Sequence, residues 1–218
     1  MTADTCYFLP TFNKIKTKVN HHKNQCNEKF QNDRIRYIKS KKEPIVIMGG
    51  RLPMYVDGRE INTKKNNTEI NDDNFKDFYL NWNFQYLTNE FKSPSQKDFI
   101  TSLKKIKKAV DDVKGTLIII FPIPEIYVEP FYFIKKNKTL IYSYEYEIFK
   151  KRSETSFSIL NEINGKNIIK IFPHKFLCTK KKCYLNSNLQ NFYRDTNHLN
   201  KKGYLRILNK IKAELNVR

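Results

Sequence analysis

Near the C-terminus of a 218-residue chain, the run Tyr193-Arg194-Asp195-Thr196-Asn197-His198-Leu199 sets a carboxylate three residues before an imidazole. On a tight turn that spacing lets Asp195 reach the Nδ1–H of His198, which fixes the tautomer and leaves Nε2 free as a general base. The competing reading is a surface turn in which Asp195 caps a helix, and a D-x-x-H pattern alone does not exclude it. Four cysteines fall as two local pairs, Cys6 with Cys26 and Cys178 with Cys183. The C-x₂-C spacing usual for zinc is absent, and two short-loop disulfides fit better, which implies an oxidising compartment. His21-His22 has no third ligand at metal-binding spacing, and His174 after Pro173 reads as packing. No metal is expected.

These residues need elements to position them. From Asn27, Phe30, Ile35 and Ile38 fall on one side of a helix, with Asn27 as its N-cap. Pro44 opens Ile45-Val46-Ile47-Met48, a β-rich run without alternation that reads as a strand buried on both faces. Ser93-Pro94-Ser95 opens a second helix, with Phe99, Leu103, Ile106 and Val110 as its apolar stripe, and Gly115 ends it. Leu117–Phe121 follows as a second buried strand. The aromatic stretch 125–146 is either an excursion that faces substrate or a covered loop, and 57–75 is a polar surface loop. A helix around Ser153–Asn164 leads to a third strand, Ile168–Phe172. The last helix starts near Asn200, with Tyr204, Leu208, Ile211 and Leu215 in phase. Alternating helices and strands predict an α/β fold with a mainly parallel sheet in one domain, 1–218. Function in such sheets gathers beyond the carboxyl ends of the strands, at Gly49-Gly50-Arg51, at Pro122-Ile123-Pro124-Glu125 and after Phe172.

Lys and Arg number 41 against 22 Asp and Glu, a net charge of +19. The cations are nearly all Lys, spread through loops and polar helix faces beside many Asn and Ile, the mix that AT-rich codons produce. A dedicated nucleic-acid surface concentrates charge and favours Arg, so no nucleic-acid partner is expected. No stretch reaches the ~20 apolar residues of a membrane span. The first residues carry neither the basic nor the apolar region of a signal peptide.

The larger pattern resembles the SGNH domain of the acyltransferase type 3 family. Cys178, four residues, Cys183, then Tyr193-x-Asp195-x-x-His198-Leu199, Gly203 and a final amphipathic helix is similar to its C-terminal block. Cys26-Asn27-Glu28 with its helix, Pro44 to Arg51, and Leu117–Phe121 followed by Pro122-x-Pro124-Glu125 resemble its upstream blocks, in order. The resemblance covers nearly the whole chain. It implies a three-layer, flavodoxin-like SGNH hydrolase fold and an O-acyltransferase or esterase of cell-envelope polysaccharide. That enzyme needs no cofactor. Its partners are an acyl donor, a polysaccharide acceptor and a membrane acyltransferase domain encoded upstream, and its place is the periplasmic or extracytoplasmic side of the membrane.

One departure is specific. The family's nucleophile is the Ser of a Gly-Asp-Ser block, and no Gly-Asp-Ser occurs in the 218 residues. Cys6 matches a cysteine downstream of that block, so the expectation is an N-terminally truncated domain lacking its first, interior strand. With the block restored, His198 and Asp195 are the catalytic pair, and Gly50 N–H and Arg51 are oxyanion or substrate-binding candidates; Arg51 is equally a structural ion-pair partner. Without it, a non-catalytic carbohydrate-binding remnant is the alternative, followed by a basic nucleic-acid-binding protein.

Overall fold

A computed structural model describes residues 8–10, 28–57, 59–61, 84–86, 94–127, 130, 142–187 and 190–216. They form two compact units, each assembled from three separated stretches: 1–58, 86–122 and 154–171, and 59–85, 123–153 and 172–218.

The first unit holds a parallel three-stranded sheet in the order β1 (Ile45–Met48), β4 (Thr116–Ile120), β6 (Ile168–Ile171). Val46 pairs with Leu117, and Leu117 with Ile168. The middle strand is the apolar one expected, with Leu117, Ile118 and Ile119 fully buried. β1 departs from expectation: Ile45 and Ile47 are each 54% exposed, and only Met48 is buried. Among the described residues β1 has one strand neighbour, β4, and side chains alternate between faces, so the two exposed isoleucines share a face. An unbroken apolar run therefore does not mean burial on both sides.

Helix α1 (Glu28–Lys39) buries Ile35 and Ile38 as predicted, while Asn27 lies outside the described residues. Its Arg34 guanidinium lies 4.4 Å from the Phe30 ring centre and 5.3 Å from that of Phe8. α1 packs on α3 (Gln96–Asp111), which packs on β4. The stripe Phe99, Leu103, Ile106 and Val110 is buried in full. Ser95 and Asp98 form a capping box that satisfies orphan N–H groups at the helix start. The helix is closed by Asp112, and the positive φ of 54° belongs to Lys114, one residue before the glycine that the sequence pointed to. The Asn167 amide donates to Asp111 and to the Gly115 carbonyl, tying this corner to the start of β6.

α4 (Tyr146–Asn161) runs from the second unit into the first and starts seven residues before the predicted Ser153. Its first N–H groups need partners outside the helix, and the Lys181 carbonyl takes that of Tyr146. Short elements make up the rest of the second unit: β5 (Ser143–Glu145) antiparallel to β7 (Lys182–Tyr184), α5 (His174–Leu177), β8 (Asn186–Ser187) paired with β9 (Gln190–Asn191), and α6 (Lys201–Asn216). β2 (Arg59–Ile61), inside the 57–75 stretch expected to be a surface loop, pairs with β3 (Phe84–Tyr86) beyond it.

α6 starts at the expected place, but its phase is corrected. Gly203, Ile207 and Ile211 face inward, while Tyr204 and Leu208 are exposed at 42% and 39%. Of the aromatic stretch, Tyr127, Tyr142 and Tyr144 are buried, which favours the covered reading for those three. Among the described residues, no helix is long and apolar enough to cross a membrane.

Candidate active site

In the second unit, residues 192–200 fold back on themselves between β9 and α6. Asn200 N–H donates to the Phe192 carbonyl (2.9 Å), Arg194 N–H donates to the His198 carbonyl (2.7 Å), and Tyr193 bridges Leu199. Asp195 and His198 sit at the closed end. The Asp195 Oδ1 accepts the N–H groups of Asn197 (3.0 Å) and His198 (2.8 Å), an Asx turn that orients the carboxylate. The His198 Nδ1 then lies 2.9 Å from both carboxylate oxygens. A carboxylate only accepts, so Nδ1 is the donor, and in the neutral ring that tautomer leaves the Nε2 lone pair free.

The His198 side chain is 57% exposed and that of Asp195 30%. Burial pushes the Asp195 carboxyl up; the donors from Asn197 N–H, the His198 ring and His198 N–H outweigh it and hold the group below its ordinary value. The pair is thus an ionised carboxylate steadying an accessible imidazole, the arrangement a general base needs.

Asparagines fix both legs of the turn. Asn191 donates to the Tyr193 carbonyl (2.6 Å) and accepts the Tyr193 N–H (2.9 Å). Asn200 caps α6 by accepting from Lys202 and Gly203 N–H, and donates to the Asn191 carbonyl (2.8 Å). A Cβ on Gly203 would overlap the Phe192 carbonyl oxygen, so only glycine lets the helix start this close to the turn. Sequence reading named Asn200 and Gly203 as markers only; the N-cap preference for Asn was the usable signal for the first.

Beneath the turn runs the Pro122-x-Pro124-Glu125 segment, predicted to face a crevice. Glu125 instead forms a buried ion pair with Arg152 at 3.0 Å, the side chains 4% and 2% exposed. Nothing in the local sequence marks Arg152 as its partner. Burial pushes the Tyr127 and Tyr193 hydroxyls well above their ordinary range, Glu125 adding to the shift in Tyr127 and Tyr142 then Glu125 in Tyr193. His174 is half-buried against Phe149, Phe172 and Tyr146, the packing role expected of it. Burial, then Lys175, holds its ring below the ordinary histidine value.

Gly50 and Arg51 belong to the first unit, directly after β1. Gly50 has a φ of 146°, a conformation closed to most L-residues. The Gly50 carbonyl accepts Leu52 N–H (2.9 Å) and that of Arg51 accepts Met54 N–H (3.0 Å), which starts α2 (Leu52–Asp57). Cys178 and Cys183 form a disulfide, whereas Cys6, Cys26, His21 and His22 lie outside the described residues. Among the described residues, no cluster of three or more His, Cys, Asp or Glu is placed to hold a metal.

A family model, the SGNH domain (fused to AT3 domains), matches residues 1–213. No curated protein and no solved structure matches the chain.

Proposed function

The chain belongs to the SGNH domain family fused to AT3 domains, and on that premise we propose that it is an SGNH-type O-acyltransferase or esterase domain acting on cell-envelope polysaccharide. Membership supports hydrolase- or acyltransferase-type chemistry, and the fusion fits an associated membrane acyltransferase domain. The domain then works on the extracytoplasmic side. The observation that carries the reading is the 2.9 Å contact of His198 Nδ1 with both Asp195 oxygens, on a ring open to solvent.

In this reading His198 is the general base, and Asp195 holds its tautomer and stabilises the imidazolium. A serine Oγ attacks the acyl carbonyl carbon while Nε2 takes its proton. The tetrahedral intermediate collapses, the leaving oxygen receives that proton, and an acyl-serine remains. A polysaccharide hydroxyl then attacks the acyl-serine for transfer, or water for hydrolysis, each giving its proton to His198, which passes it to the departing serine Oγ. No Gly-Asp-Ser occurs in these 218 residues, and the serine of this reading is the one that the family carries in that block.

Hydrolysis of 4-nitrophenyl acetate by the chain and by His198→Ala tests this. A fall of about a hundredfold or more is expected, the low end of the usual general-base contribution. Equal rates, with envelope polysaccharide still bound, favour a carbohydrate-binding domain without catalysis. A cleft of about 180 Å³ in the second unit, lined by Phe176, Tyr184, Phe192 and Arg206, supports that second reading.

A further inference from the structure

We propose that Tyr193 is a positioning residue for His198, acting through the turn that carries Asp195; this rests on the reading of that pair as base and partner. The Tyr193 side chain is buried, at 1% exposure. Its hydroxyl donates to the Pro124 carbonyl at 2.8 Å. Two residues further along that segment, Ile126 N–H donates to the Thr196 carbonyl, also at 2.8 Å. Tyr193 and Thr196 flank Arg194-Asp195, so these two bonds moor the turn on either side of the carboxylate. Only the first depends on a side chain.

The acceptor side is stiff. Proline at 122 and 124 fixes φ at both positions, which narrows the freedom of the backbone that carries the Pro124 carbonyl. The donor side is stiff as well, because Asn191 holds both backbone groups of Tyr193. By contrast His198 is mostly exposed and its ring takes its direction from Asp195. The orientation of the imidazole is therefore inherited, from Pro124 to Tyr193, to the turn, to Asp195. Removing the hydroxyl leaves a buried carbonyl without its donor and frees one mooring of the turn while leaving the ring's packing.

The test reads the His198 tautomer, which requires no turnover. In ¹⁵N-labelled protein at about pH 9, where unperturbed imidazoles are neutral, long-range ¹H–¹⁵N spectra distinguish Nδ1–H from Nε2–H. His198 is expected mainly as Nδ1–H in the unmodified chain. Asp195→Asn marks the value reached when the carboxylate is gone. Tyr193→Phe is expected to lower the ratio of Nδ1–H to Nε2–H at least threefold while thermal unfolding stays cooperative. An unchanged ratio in a folded Tyr193→Phe would make Tyr193 a core residue and nothing more, and an Nε2–H ring in the unmodified chain would overturn the proposal outright. Should Tyr193→Phe not fold, Asn191→Ala, which frees the Tyr193 backbone, is read against the same threefold criterion. Loss of the acyl-transfer reading shows instead as ester hydrolysis that survives His198→Ala, whatever the tautomer.

Discussion

The Asp195 carboxylate serves the turn and the imidazole together, accepting two N–H groups of its own loop and the His198 ring. These donors hold its pKa below the unfolded value of about 3.8, against the upward push of burial. The sign follows from linkage: the stabilisation is present above the unfolded pKa and is lost as pH falls through the folded one. The melting temperature of the unmodified chain should exceed that of Asp195→Asn by a constant amount above about pH 5, and the gap should narrow below pH 4. A gap independent of pH would mean that the charge contributes nothing. The pair was legible in the sequence because its partners lie three residues apart, so local geometry alone brings them together. The Tyr193 hydroxyl and Pro124 are 69 residues apart, and Glu125 and Arg152 are 27 apart. Such contacts depend on how elements pack, which local spacing does not encode.

At the scale of elements, the start and the buried face of α3 were readable because both signals are local, the Ser93-Pro94-Ser95 opening and an apolar stripe on one face. Ser95→Ala removes the acceptor for Asp98 N–H and should cost about 1 kcal/mol, seen as a lower urea midpoint with an unchanged slope. An unaltered midpoint would mean that water replaces the cap without loss. α6 shows where periodicity stops deciding. Tyr204, Leu205, Ile207, Leu208, Ile211 and Leu215 cover so much of the helix that two phases fit equally well. The packed phase is set by Gly203, whose missing side chain lets the helix approach Phe192. A hydrophobicity pattern has no means of registering a contact made by an absent group. β1 was misread for a related reason: its run of apolar residues does not reveal its rank in the strand order.

Across the whole molecule, each unit draws on three separated stretches, so no single cut through the sequence divides them. The charge of +19 is likewise a property of the chain and not of a site. It keeps copies apart through mutual repulsion, and the sheet gives that repulsion something to oppose. β1 ends the strand order with Ile45 and Ile47 on an open face, and among the described residues β4 is the strand paired with it. Unpaired edge strands are templates for accretion by other strands, and natural sheets blunt them with charge. Here the nearest charges along the chain, Lys41, Lys42, Glu43 and Arg51, flank the strand and lie outside it, and charge is screened beyond ~8 Å at physiological salt. The isolated chain should therefore stay dispersed at low ionic strength and form aggregates as salt is raised, followed by light scattering. Ile47→Lys should suppress that scattering severalfold with little change in melting temperature; equal scattering would show that another surface is responsible. On that expectation dispersal is conditional on the ionic medium, and Ile47 on the strand edge sets how much salt the chain tolerates.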